Sequence, residues 1–180
     1  MASPEVLDQL KIVNATLPFK ADPNFAQAAR VYAQAFHGNE AYLSVFRTTV
    51  EQRRLLYEAR NISHATVAMF AGRVIGMGTL QTNLSPHTNF ARIDNLAILP
   101  EYQRQGVGSV ILENLEQTAQ QAGSAGIILM PKVEVIPFYE KFGYMFLWED
   151  DPNMIKQLQE VYEVRQVPNS VQTLDSTLDF

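Results

Sequence analysis

The chain has 180 residues, is 47% hydrophobic and carries a net charge of −5 from 14 basic and 19 acidic side chains. Such a length suits one domain with a sizeable core, and the acidic balance argues against long nucleic acid as a partner. The absence of cysteine excludes disulfides, thiol nucleophiles and thiolate metal sites, and the three scattered histidines lack ligand spacing, so no metal is expected.

In chain order, LKIVNATLPFK (10–20) alternates loosely and predicts a first strand ending near Pro18. FAQAARVYAQAF (25–36) has helical spacing, with Asp22-Pro23 as its start, and AYLSVFRTTVEQRRLLYEA (41–59) predicts one or two further helices. HATVAMF (64–70), the tight connection AGR and VIGMGTLQT (74–82) predict a hairpin. After the polar loop 83–89, FARIDNLAIL (90–99) reads as a strand stopped by Pro100. From Gly106 to Ala122 the apolar residues recur every three or four positions, which predicts a helix ended by Gly123. SAGIILM (124–130) is a short apolar strand. Pro137 then opens a short helix FYEKF closed by Gly143, and YMFLWE (144–149) is another strand. MIKQLQEVYEVRQV (154–167) fits a helix followed by an edge strand less decisively.

The expected fold class is mixed α/β: a central, mostly antiparallel sheet with helices on both faces. Residues 90–130 form a βαβ crossover within it. One domain is expected over residues 1–168, followed by a polar tail, 169–180, that is either disordered or docked. No apolar run approaches the 18 or so residues of a membrane span, so no membrane partner is expected. The start MASPEVLDQLKIVN lacks a basic stretch followed by an apolar one, and the expected location is cytoplasmic.

The stretch PEYQRQGVGS (100–109) carries the chemistry. Two glycines in a helical pattern cost about 1 kcal/mol each against alanine, and close approach of a ligand would offset that cost. The first N–H groups of the helix have no helical partners and sit at its positive end. Gly106 and Gly108 remove side chains from that end. Gln103, Arg104 or Gln105 could reach outer oxygens, which makes a compact anion cradle. The plainer alternative is a turn with a close helix–sheet contact. Neither a nucleotide P-loop nor the dinucleotide G-x-G-x-x-G string is present.

Gln103-Arg104-Gln105-Gly106-Val107-Gly108 resembles the R/Q-x-x-G-x-G/A signature of the GNAT family of N-acetyltransferases. FYEKFGY (138–144) resembles that family's second recurrent motif. The resemblance covers residues 64–149 well and the N-terminal helices more loosely. It implies a GNAT-like acyl-CoA N-acyltransferase fold that uses acetyl-CoA, with the pyrophosphate on Gln103, Arg104, Gln105, Gly106, Val107, Gly108 and Ser109. It also implies that the pantetheine arm pairs with the backbone of Leu96, Ala97 and Ile98, almost as an added strand. For that, strand 90–99 must splay from 124–130.

By the same resemblance, Tyr139 occupies the position of the tyrosine that hands a proton to the CoA sulfur. A neutral phenol can hydrogen-bond a developing thiolate; the alternative role is aromatic packing. Strict alternation would put Asp94, Leu96 and Ile98 on one face of strand 90–99, and Ile93, Asn95, Ala97 and Leu99 on the other. Asp94 is the candidate general base, acting through water, or else it forms a salt bridge to Arg92 or Arg73. His87, Glu134 and Glu101 are further base candidates. Many relatives have an asparagine before the second motif's helix, but here the stretch is MPKVEVIPFY, and Lys132 could meet a phosphate instead.

The implied function is acetyl transfer from acetyl-CoA to a primary amine by direct attack through a tetrahedral intermediate. Two alternatives stand beside it: a non-catalytic CoA-binding or regulatory module of the same fold, and an unrelated α/β domain whose loop binds phosphate. The partner would be a small-molecule amine or a peptide amine, and a homodimer is left open.

Overall fold

The computed structural model describes residues 4–16, 27–28, 30–32, 34–35, 63–82, 89–148 and 151–158. The second helical stretch expected at 41–59, the loop with His87 and the tail 169–180 lie outside them. Seven strands form one sheet in the order β1-β2-β3-β4-β5-β7-β6. They are β1 (Lys11–Thr16), β2 (Ser63–Phe70), β3 (Arg73–Gln81), β4 (Phe90–Ile98), β5 (Gly126–Leu129), β6 (Met145–Phe146) and β7 (Met154–Gln157). Among the described residues, α1 (Pro4–Asp8), α2 (Val107–Gln121) and α3 (Ile136–Glu140) accompany them. Part of the stretch 25–36 is described, and its residues Gln27, Ala28, Arg30, Val31, Tyr32, Gln34 and Ala35 are helical as expected.

Only β4 and β5 run parallel; every other neighbouring pair is antiparallel. The helix α2 joins the parallel pair, as a crossover requires. The β2–β3 hairpin closes on Ala71 and Gly72, both with positive φ, the backbone that matches the twist of a two-residue connection. β3 is buried on both faces along most of its length, so the sheet is covered on both sides. Val6 of α1 and the helical residues Ala28 and Val31 join the same core as α2's Val107, Ile111, Leu112, Leu115 and Ala119. The helix α2 lies close to the sheet because Gly76 and Gly78 stand beneath it. A Cβ on Gly76 would lie 2.8 Å from the Ile111 side chain, and one on Gly78 2.7 Å from that of Leu115.

Three expectations are corrected. The ambiguous stretch from 154 begins as a strand, not a helix. Met154 is fully buried, and β7 is an interior strand between β5 and β6. The strand expected over 144–149 shrinks to Met145–Phe146, both exposed at the sheet edge. It ends there because Leu147 N–H bonds the Asn153 carbonyl and Asp151 N–H bonds that of Trp148, which starts the turn early.

The third correction concerns the faces of β4. Thr79 pairs with Asp94 and Met77 with Ala97, so two steps along β3 match three along β4. Asn95 absorbs the extra residue with φ 58°, a β-bulge. Asp94 and Ala97 therefore share the face of Thr79 and Met77. Ile93 and Ile98 share the face of Leu80 and Gly76, and the Leu96 side chain approaches Gly78 on that same, α2-facing side.

Candidate functional site

The segment after β4 is shaped by its own hydrogen bonds. Leu99 N–H stays on β3 by bonding the Ile75 carbonyl (2.9 Å), and Pro100–Tyr102 then make one 3-10 turn. Arg104 and Gly106 both have left-handed backbone, at φ 59° and 83°. The Gln103 amide donates to the Ile98 carbonyl at 3.1 Å, and the Gln105 amide to that of Glu101 at 2.7 Å. Both glutamine side chains therefore brace the loop from within. Arg104 is exposed.

The helix α2 starts on Gly106, with no side-chain cap and no acidic residue in its first turn. Its first backbone bond runs from Val110 N–H to the Gly106 carbonyl, so the N–H groups of Val107, Gly108 and Ser109 precede the helical ladder. Backbone donors at a helix start following left-handed residues suit an anionic group. A Cβ on Gly108 would lie 3.7 Å from the Phe138 ring and 3.8 Å from Ile98. The cradle, the end of β4 and the start of α3 thus meet at Gly108.

Parallel pairing of β4 with β5 is confined to Phe90, Ala91 and Arg92 opposite Gly126, Ile127 and Ile128. Beyond the bulge, Leu96, Ala97 and Ile98 continue on β4 while pairing with β5 has stopped. Ala97 and Ile98 remain paired to Met77 and Gly76 on the other side.

Tyr139 is 7% exposed, and burial pushes its phenol up to about 12. The short helix α3 presents it after a 3-10 turn, Val133–Val135, with Pro137 in the first turn one residue inside the start, at Ile136. Its ring meets those of Phe138 and Tyr144 edge-on, at 5.0 and 5.7 Å. Phe142 and Tyr144 N–H groups both bond its carbonyl.

Asp94 sits on the opposite face of the sheet from α2. Its Oδ2 accepts from Gln81 Nε2 at 2.9 Å and Arg92 Nε at 3.3 Å, and Arg92 Nη2 also reaches Gln81 Oε1 at 3.3 Å. Of the two salt bridges weighed from sequence, the one to Arg92 forms. Arg73 instead meets Glu101 at the surface, 3.4 Å apart. Glu134 and Lys132 are exposed on the segment after β5. Sequence reasoning missed Gln81, a buried amide that anchors Asp94. Its only sequence signal was a polar residue ending a strongly apolar strand. It also missed the Phe138–Ile98 pair that flanks Gly108.

Comparison with known proteins agrees with this architecture. The profile of the acetyltransferase (GNAT) family matches residues 26–144, more than half of the chain. Among curated proteins, the chain is 28% identical over 94 residues to "Uncharacterized N-acetyltransferase YjcF" of Bacillus subtilis; the match spans 52% of this chain and 64% of that protein. It is 33% identical over 94 residues to "Histone acetyltransferase TAP1" of Glycine max, spanning 52% of this chain and 38% of that one. These matches thus span less than two thirds of the relatives' own length. Among solved structures, a GNAT family acetyltransferase of Brucella melitensis in complex with acetyl-CoA superposes with TM-score 0.61. It has 14% identity, and the match covers 83% of this chain and 88% of that one. The PaiA N-acetyltransferase of Thermoplasma acidophilum in complex with coenzyme A gives TM-score 0.57 at 20% identity, over 82% and 99% of the two chains. By profile, sequence and fold together, the chain belongs to the acetyltransferase (GNAT) family.

Proposed function

We propose that this protein transfers an acetyl group from acetyl-CoA to an amine by direct attack through a tetrahedral intermediate. The observation that carries the reading is the meeting at Gly108 of three features. They are an uncapped helix start, the end of a strand whose parallel pairing has stopped, and the helix bearing Tyr139.

The residues fit an acyl-CoA. The N–H groups of Val107, Gly108 and Ser109, with the backbone of Gln103, Arg104, Gln105 and Gly106, would hold the pyrophosphate. The Gln103 and Gln105 side chains shape this loop rather than bind. The β4 edge at Leu96, Ala97 and Ile98 would pair with the pantetheine amides. Acetyl-CoA supplies an activated thioester carbonyl.

A backbone N–H near Leu96 or Ala97 polarises that carbonyl and receives the developing oxyanion. Asp94, held at Oδ2 by Gln81 and Arg92, accepts the ammonium proton through water so that the amine attacks neutral. The C–N bond forms, the nitrogen gives up its remaining extra proton to water, the C–S bond breaks, and the thiolate leaves. Tyr139, an ordinary phenol raised further by burial, carries its proton throughout the neutral range, and it donates a hydrogen bond to the departing sulfur. The acceptor is a small-molecule or peptide amine.

Amine-dependent release of free CoA from acetyl-CoA, followed across a broad acceptor panel, tests the reading. Tight acetyl-CoA binding without turnover on any amine would replace it with a CoA-binding module.

A further inference from the structure

Beneath Tyr139 lies a charged cluster that the proposed chemistry does not use. Glu116 projects from the middle of α2, with its side chain only 13% exposed, and accepts from Lys156 Nζ of β7 at 2.7 Å. Residues forty positions apart are therefore joined under the sheet's α2-facing layer. Lys156 Nζ also stands 5.7 Å from the centre of the Tyr144 ring. Glu116 Oε1 and the Tyr144 hydroxyl are both buried without a hydrogen-bond partner. Burial raises the Tyr144 phenol, and the charge and hydrogen-bonding approach of Glu116 raise it further.

A partly buried ion pair is seldom the most stabilising way to fill such a place. Apolar residues of the same volume often do as well or better, while ionic pairs are best attested where they fix one arrangement among several. The arrangement at stake here is visible. Tyr144 N–H bonds the Tyr139 carbonyl at 3.2 Å, and the Tyr144 ring is the wall against which Tyr139 packs edge-on. Lys156 meets both Glu116 and the Tyr144 ring, and Tyr144 meets Tyr139, so these contacts link β7, α2 and α3.

We propose that Glu116, fixed by Lys156 and acting through Tyr144, is a positioning residue that sets the ring orientation of Tyr139. The inference rests on Tyr139 being the acid of the proposed reaction. Its test is chosen so that the two can fail separately.

The first arm needs no activity. Protein labelled with 3-fluorotyrosine is examined by 19F NMR, with the Tyr139 signal assigned by its loss in Tyr139→Phe. Glu116→Gln should shift or split that signal, whereas Glu113→Gln, on the exposed side of the same helix, should leave it in place. The second arm is kinetic, with acetyl-CoA and the acceptor that turns over in the panel. Glu116→Gln should lower the single-turnover rate about tenfold with KM for acetyl-CoA within twofold, and should cost nothing further in a Tyr139→Phe background. If Glu116→Gln does not fold, Glu116→Gln with Lys156→Gln removes both charges together and is read the same way.

An unmoved Tyr139 signal overturns the proposal, as does an equal rate loss in the Tyr139→Phe background. If Tyr139→Phe turns over like the parent while Glu116→Gln still moves the signal, Glu116 positions the ring and the acid is another group.

Discussion

Replacing Gly108 with alanine should make the protein more stable and a poorer binder of acetyl-CoA. Gly108 is the second residue of α2 and is not among the glycines with positive φ, so its backbone suits any L-residue. The added methyl would meet Phe138 at 3.7 Å and Ile98 at 3.8 Å, ordinary van der Waals separations that displace nothing. Alanine exceeds glycine in helix propensity by up to about 1 kcal/mol, which for a chain of this size raises Tm by about 2–4 °C. Under the proposed function, the same methyl would stand beside a pyrophosphate held by the leading N–H groups. A pyrophosphate there would have to retreat, and a tenfold loss of affinity, about 1.4 kcal/mol, is expected. Gly108→Val should bind more weakly still, and its branched carbons press on Phe138. Thermal melts and calorimetric titration with acetyl-CoA measure the two effects on the same samples. An alanine variant that binds like the parent would remove this loop from the phosphate site. One that melts lower would mean that Gly108 is there for packing after all.

Tyr139→Phe should keep acetyl-CoA affinity while single-turnover rates at saturating amine fall roughly ten- to a hundredfold, because the hydroxyl matters only as charge develops on sulfur; unchanged rates would make Tyr139 a packing residue. Asp94→Asn should retain an oxygen for Gln81 Nε2 and so change urea-unfolding stability by less than about 1 kcal/mol, while its rate at neutral pH falls about tenfold; a full rate would pass the base role to another group or to water. Stability should also fall in alkali. The Tyr139 phenol is raised from 10.0 to about 12 in the fold, so the unfolded chain loses its proton first. The stabilisation is complete below about pH 10 and declines as pH rises towards 12, by on the order of 2 kcal/mol. Urea melts at pH 8, 10 and 11 should show this decline, and Tyr139→Phe should reduce it; an identical decline in that variant would assign the effect to other groups, with Tyr144 shifted in the same direction.

Punctuation and periodicity made much of this molecule legible. Ala71-Gly72 marked the hairpin, Pro100 marked the end of β4, and the spacing of Val107, Ile111, Leu115 and Ala119 marked the buried stripe of α2. Non-local causes hid the rest. The bulge at Asn95 exists because β3 and β4 pair out of step. An asparagine in mid-strand, tolerant of left-handed backbone, was its single trace. MIKQ becomes a strand because β5 and β6 bracket it, although the longer window through residue 167 also carries helical spacing. Glu116 looked like any helix carboxylate, since the lysine that meets it comes forty residues later. The cradle could be read as a loop, but not that its two glutamines are spent on holding its shape.

Gly76 and Gly78 bear on where the leading end of α2 stands. They let α2 settle onto β3 at a height fixed by bare backbone, and α2 is a 15-residue rod whose leading end is the cradle. A rigid rod passes a displacement at its middle on to its tip. A methyl added at Gly78 would meet the side-chain ends of Leu115 at 2.7 Å and Ile111 at 3.0 Å; unless those ends turn aside, α2 rises and carries the N–H groups of Val107 and Gly108 with it relative to the β4 edge. The gap between those two surfaces is the calibrated span that a pyrophosphate and its pantetheine tail would have to bridge. Under the proposed function, the setting of that span lies in the middle of the sheet, beneath the helix rather than in the loop. Under that same function, substitutions at these buried positions would change affinity for acetyl-CoA while every residue of the loop stayed the same.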